Sequence, residues 1–104
     1  METESLNPTG QAAALKTAYD AVNQILEKTP TMLEKENYGV NLPTLRRVKR
    51  CQPIKPVTYA FYMRLFMRML LEEYQRRIQK GDTGREILRV LAEIALQEHN
   101  MNLD

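Results

Sequence analysis

Four cations fall within five positions, Arg46, Arg47, Lys49 and Arg50, with Lys55 a short way on. Side chains of this kind at this density bind polyanions. Arginine offers a planar fork of N–H donors that matches phosphate oxygens, and lysine a compact charge. The cluster is the centre of a larger block. Residues 41–80 hold ten basic residues against Glu72 and Glu73, a net +8, while residues 1–40 and 81–104 each carry −3. The chain total of +2 hides this order. An acidic–basic–acidic chain concentrates its attraction for polyanions in one place.

Other reactive side chains are sparse. Cys51 is the single cysteine, so an internal disulfide is excluded and a reducing compartment is expected. Lys49 and Arg50 beside it favour the thiolate of an exposed thiol, although a packed or inert cysteine is the reading preferred here. His99 has no Cys or His partner at metal spacing. No Ser-His-Asp set, phosphate loop or paired carboxylates occur. The expectation is therefore a protein that is not an enzyme and uses neither cofactor nor metal.

The elements that must position the cations are helical. Leu, Ala, Glu, Arg and Lys abound against 4 Gly and 7% aromatic residues. The chain is long enough for one domain, expected over residues 11–98 between a disordered tail at 1–10 and a frayed one at 99–104. Leu15, Ala18, Val22, Ile25 and Leu26 recur at helical spacing and predict a first helix from Gln11 to about Lys28. Thr29-Pro30 stops it and starts a short second helix ending near Asn37. Asn41 is placed to cap a third helix running to about Arg50, with Pro43 in its first turn. Cys51-Gln52-Pro53-Ile54-Lys55-Pro56 is expected to be a loop, since two prolines three apart restrict every neighbour. The fourth helix, about Val57 to Lys80, is apolar around most of its circumference; Arg64, Arg68 and Glu72 leave one polar stripe. Such a helix must be covered on more than one side, in part by a second copy. The methionines Met63, Met67 and Met69 suit core filling. Gly81 ends this helix, and Thr83 with Glu86 matches a capping box for a fifth, reaching about Glu98. The last two are expected to pair as an antiparallel hairpin.

The order Gly39-Val40-Asn41, followed by Leu45 and Val48 three apart, is that of a helix-turn-helix. Gly makes the turn, Val plugs the gap, Asn caps, and the apolar pair turns inward over Leu33. The remaining side chains of helix 42–50 then face outward. Residues 30–60 resemble the phage-repressor and Cro-like (xenobiotic-response-element) helix-turn-helix regulators at Leu33, Gly39, Val40, Asn41, Thr44, Leu45, Arg47, Val48 and Pro56. Cys51 stands where that family commonly has Gly, and Pro30 where it has a polar residue. Leu42 and Pro43 occupy positions that often read bases there, and neither donates a hydrogen bond from its side chain.

The resemblance implies an all-α, Cro-like fold of about five helices and binding of duplex DNA, in a transcriptional regulator of a bacterium, phage or mobile element. Arg47 matches an exposed recognition-helix position and is the first candidate for guanine O6 and N7, with Arg46 beside it. Asn41 and Thr44 would hydrogen-bond phosphate with help from free amides at the helix start. Lys49, Arg50 and Lys55 would clamp phosphates. A homodimer through the fourth and fifth helices is expected, since operators of such modules are usually two-fold symmetric. Two alternatives stand beside this reading: a protein-interaction module using the same scaffold, and a non-specific nucleic-acid binder. With no apolar run of membrane length and no signal peptide, a cytoplasmic location away from membranes is expected.

Overall fold

Proline opens or closely follows the opening of four helices: Pro8, Pro30, Pro43 and Pro56 each stand in a first turn. The fixed φ of proline suits that position, and its missing N–H is one that no helix would use there. The computed structural model describes residues 8–36 and 39–101. It contains α1 (Pro8–Gln24), α2 (Pro30–Lys35), α3 (Leu42–Lys49), α4 (Pro56–Gln79) and α5 (Arg85–Met101). No strand occurs among the described residues.

The boundaries differ from the sequence expectation where a terminus is set by backbone rather than periodicity. α1 starts at Pro8 instead of Gln11, so residues 8–10 belong to the helix and not to a tail. It ends at Gln24, short of Lys28: the Ile25 amide still reaches the Ala21 carbonyl, and Glu27 then takes a left-handed φ of 57°. α5 continues past Glu98 to Met101. Asn37, the expected end of the second helix, lies outside the described residues, as do residues 1–7 and 102–104 of the expected tails.

The capping box is also corrected. α5 begins one residue later than Thr83 would dictate, and the Gly84 carbonyl accepts from the Ile87 and Leu88 amides. Thr83 Oγ1 accepts from the Arg85 amide instead, and the Glu86 carboxylate turns away to Arg77, 3.0 Å distant. The guanidinium outcompetes a reach back to the backbone.

One apolar core joins α1, α3, α4 and α5, and among the described residues it contains no buried polar residue. α5 packs chiefly on α1, whose Ala14, Ala18 and Ala21 let a neighbouring helix approach, with Ile87 and Ile94 buried there. Its contact with α4 is smaller. Tyr59 Oη donates to Glu98 Oε2 over 2.6 Å at one end, and Arg77 meets Glu86 at the other. α4 buries Tyr62, Met63, Leu65, Phe66, Met69 and Leu70. Met63 and Met69 thus fill core, with Met67 half-buried. No described helix is long and apolar enough to cross a membrane.

Candidate nucleic-acid interface

The basic cluster is carried by α3, a helix of eight residues that binds the core by one seam. Leu45 and Val48 are buried in it, and Leu33 of α2 and Val40 of the connection are buried with them. Those four side chains are the ones whose spacing predicts an inward seam. At about 100° per residue, Pro43, Arg46, Arg47 and Arg50 then occupy the opposite, outer side of α3, with Lys49 on its flank. All five are exposed.

Three contacts fix where this helix begins. Asn41 Oδ1 accepts from the Thr44 amide at 2.9 Å, the predicted cap. The Asn41 amide donates to Tyr62 Oη at 3.0 Å, hanging the start of α3 from α4. Tyr62 is held in turn by edge contacts with Phe61 and Phe66, and Phe66 lies against Tyr19 of α1. Gly39 has the predicted positive φ, 85°, and the Phe61 ring covers it so closely that a β-carbon would come within 2.9 Å of the ring.

The third contact corrects an expectation. The Leu42 amide donates to Glu34 Oε2 at 3.0 Å. Pro43 has no N–H, Thr44 is bound by Asn41, and the Leu45 amide makes the first helical bond to the Asn41 carbonyl. The start of α3 therefore has no free amide to give a phosphate. A carboxylate occupies the position that the helix dipole makes attractive to anions. Asn41 and Thr44 keep only their side-chain amide donors and hydroxyl for such a contact.

Arg47 is the second residue that the structure holds differently from the expectation. One terminal N–H donates to the Pro53 carbonyl at 3.0 Å, tying the guanidinium to the loop that follows its own helix. Arg47 as a whole remains exposed. Among the described residues Arg46, Arg47, Lys49, Arg50 and Lys55 make no ion pair. Lys55 is the N-cap residue of α4, whose first turn receives no side-chain cap. The basic residues farther on behave otherwise. Arg76 and Arg77 both bind Glu73, and those hydrogen bonds, Arg76's first, hold its carboxyl below the usual range. The net +8 of residues 41–80 is thus unneutralised mainly at α3 and at Arg64 and Arg68 of α4.

No family model, curated protein or solved structure matches the chain.

Cys51 is exposed, so of the expected packed or inert cysteine the packed alternative is overturned. The cause is its backbone position, the first residue beyond the cap of α3, in left-handed conformation with φ 58°. Its amide reaches the Val48 carbonyl and the Gln52 amide the Arg47 carbonyl, the paired bonds of a Schellman ending. Glu34, Tyr62 and the Pro53 carbonyl are the groups around α3 that sequence reasoning missed. Each acts across a turn or between helices, and no local spacing signals it.

Proposed function

We propose that the chain binds duplex DNA through α3, as a helix-turn-helix regulator of transcription in the cytoplasm. The observation that carries this is the two-sided character of α3: Leu45 and Val48 are buried while Arg46, Arg47, Lys49 and Arg50 are all exposed and free of ion pairs. Cationic side chains held on the outer side of one short helix suit a major groove, where the helix fits and arginine meets guanine O6 and N7. Arg46 and Arg47 are assigned to base edges. Lys49, Arg50 and Lys55 are assigned to phosphates, Lys55 with added attraction from the uncapped start of α4. Asn41 and Thr44 support backbone contacts through their side chains alone. In this reading the five helices form a Cro-like arrangement, and α4 with α5 is the antiparallel hairpin that brings two copies onto one operator.

The test is a salt titration of binding to a labelled duplex. Binding at about 50 mM salt that weakens linearly in log–log form supports the reading. A preferred sequence that Arg47→Ala relaxes supports base contact, at a cost of about 1–3 kcal/mol. Sequence-insensitive binding, with Arg47→Ala costing no more than one charge, assigns the chain to non-specific binding. Absence of binding at low salt rejects both. A protein-interaction module is the second reading, favoured by Glu34 at the start of α3 and by Leu42 and Pro43 where readers of bases would stand.

A further inference from the structure

Pro43 leaves the first turn of α3 with nothing that can donate a hydrogen bond outward. The Leu42 amide is held by Glu34, Pro43 has no N–H, and the Thr44 amide is held by Asn41. Asn41 and Thr44 line a cleft with Val57 and Phe61 of α4, on one flank of α3. Leu42 is half-buried against the core. The Glu34 carboxylate stands beside it and repels acceptor lone pairs. What remains outward is the ring of Pro43, exposed and opposite the buried seam of Leu45 and Val48. One turn on, the outer side changes character. Arg46, Arg47 and Arg50 are exposed there and make no ion pair among the described residues.

We infer that Pro43 determines specificity, and that the base pair facing it is chosen by the 5-methyl group of a pyrimidine. This rests on the proposed binding of duplex DNA through α3. If a purine edge faces the turn, its N7, and O6 of guanine, lose water to a ring and a carboxylate that return no hydrogen bond. Turned the other way, the pair presents the C5 edge of its pyrimidine. Unmethylated cytosine has no apolar group there for the ring to cover. Thymine has its methyl group, and 5-methylcytosine has the same group at the same place.

The ring is well suited to this contact, because proline has no side-chain rotamers to lose when it covers a methyl group. From Pro43 to Arg46 and Arg47 is about 4.5–6 Å along α3, against a base-pair rise of roughly 3.4 Å. The methyl-bearing pair therefore falls about one or two positions from the guanine assigned to those arginines. A turn without donors is thus a reader of a different group, and the arginines that follow it read hydrogen-bond acceptors.

The experiment starts from duplexes selected out of a randomised pool at about 50 mM salt. Each thymine of the selected site is replaced in turn by deoxyuridine, which keeps base pairing and removes only the methyl group. One replacement, about one or two positions from a required guanine, is expected to weaken binding about fourfold, the worth of one methyl-sized group. Pro43→Ser lacks the ring and is expected to bind the thymine and deoxyuridine duplexes equally. Pro43→Ala, a better helix former, is a second variant with the same expectation. Replacing that thymine–adenine pair by 5-methylcytosine–guanine separates the two sources. Retained affinity supports the methyl group as sole determinant, and a fall to the level of unmethylated cytosine supports thymine within its own pair. Affinity within about twofold for every deoxyuridine duplex, or discrimination that persists in both variants, overturns the inference while duplex binding stands. A selected site with no thymine near the guanine, and no gain on methylating a cytosine there, does the same. Absence of duplex binding, or binding without sequence preference, overturns it together with the base-reading role of α3.

Discussion

The Glu34 carboxylate on α2 accepts a hydrogen bond from the Leu42 amide at the start of α3, 3.0 Å away. A negative charge at a helix amino end is worth about 0.3–1 kcal/mol to the fold. The same charge stands beside the surface proposed to meet phosphates, where it opposes binding. Fold and function thus make opposite demands on this residue. Glu34→Gln keeps an acceptor for the amide and removes the charge. It is expected to lower stability by about 0.5 kcal/mol in urea and to raise duplex affinity several-fold at low salt, with the gain shrinking as salt screens it. An unchanged or weaker affinity at low salt would remove Glu34 from the interface.

Cys51 does for α3 what Gly81 does for α4. Each is the first residue past the helix cap, each is left-handed (φ 58° and 88°), and each heads the same pair of bonds. Gly81 sends its amide to Ile78 and the next amide, of Asp82, reaches Arg77, as Cys51 and Gln52 do with Val48 and Arg47. A side chain costs about 1–2 kcal/mol in left-handed backbone, partly offset by the smaller chain entropy that a non-glycine loses on folding. Cys51→Gly is therefore expected to raise stability by about 0.5–1 kcal/mol, and Cys51→Val to lower it by a similar amount. Denaturation midpoints of both variants decide this, and a destabilising glycine would refute the account.

The residues that were legible in advance are those whose roles are local. Asn41 caps α3, Leu45 and Val48 turn inward, and the five helices lie near where the periodicity puts them, because a cap and a 3.6-residue period are decided within a few positions. The residues that were not legible act between elements. Glu34 reaches Leu42 and the Asn41 amide reaches Tyr62, 21 positions away, and no spacing announces either. The basic face of α3 was visible as composition, but the tie from Arg47 to Pro53 needed the loop path. The capping box at Thr83 failed for the same reason: the pattern is right locally, and a guanidinium from α4 claims its glutamate.

Gly84 shows what replaces that box. It is buried, with φ 67°, and a β-carbon built on it would lie 2.5 Å from Cε1 of Tyr74 and 3.6 Å from Cδ1 of Ile78. The Asp82 carboxylate fixes it further by accepting from its amide at 2.8 Å. Only a residue without a side chain lets the turn sit against α4 here. Gly84→Ala is expected to cost about 2–4 kcal/mol, combining left-handed strain with displacement of the Tyr74 ring. The double variant with Tyr74→Leu should recover part of that loss, because the smaller side chain opens the space. A loss under about 0.5 kcal/mol in Gly84→Ala would show that the turn can shift without penalty.

Tyr59 gives the fold an alkaline limit. Its hydroxyl donates to Glu98 over 2.6 Å, joining the first turn of α4 to the last turns of α5. Burial first, and the carboxylate second, push its ionisation well above the ordinary phenol range. Burial moves Tyr19 the same way. A folded-state pKa that is raised means the neutral form is the one the fold holds. The stabilisation is therefore complete below the unfolded value, about 10, and declines as pH rises from there toward the folded value. Tyr59→Phe loses the hydrogen bond, at about 1–2 kcal/mol, and loses this part of the pH dependence with it. The stability gap between the two proteins should be constant from neutral pH to about 9 and should narrow above about 10. Urea melts at stepped pH measure it directly. A gap that stays level through pH of about 11 would mean that the phenol is not what the fold loses there.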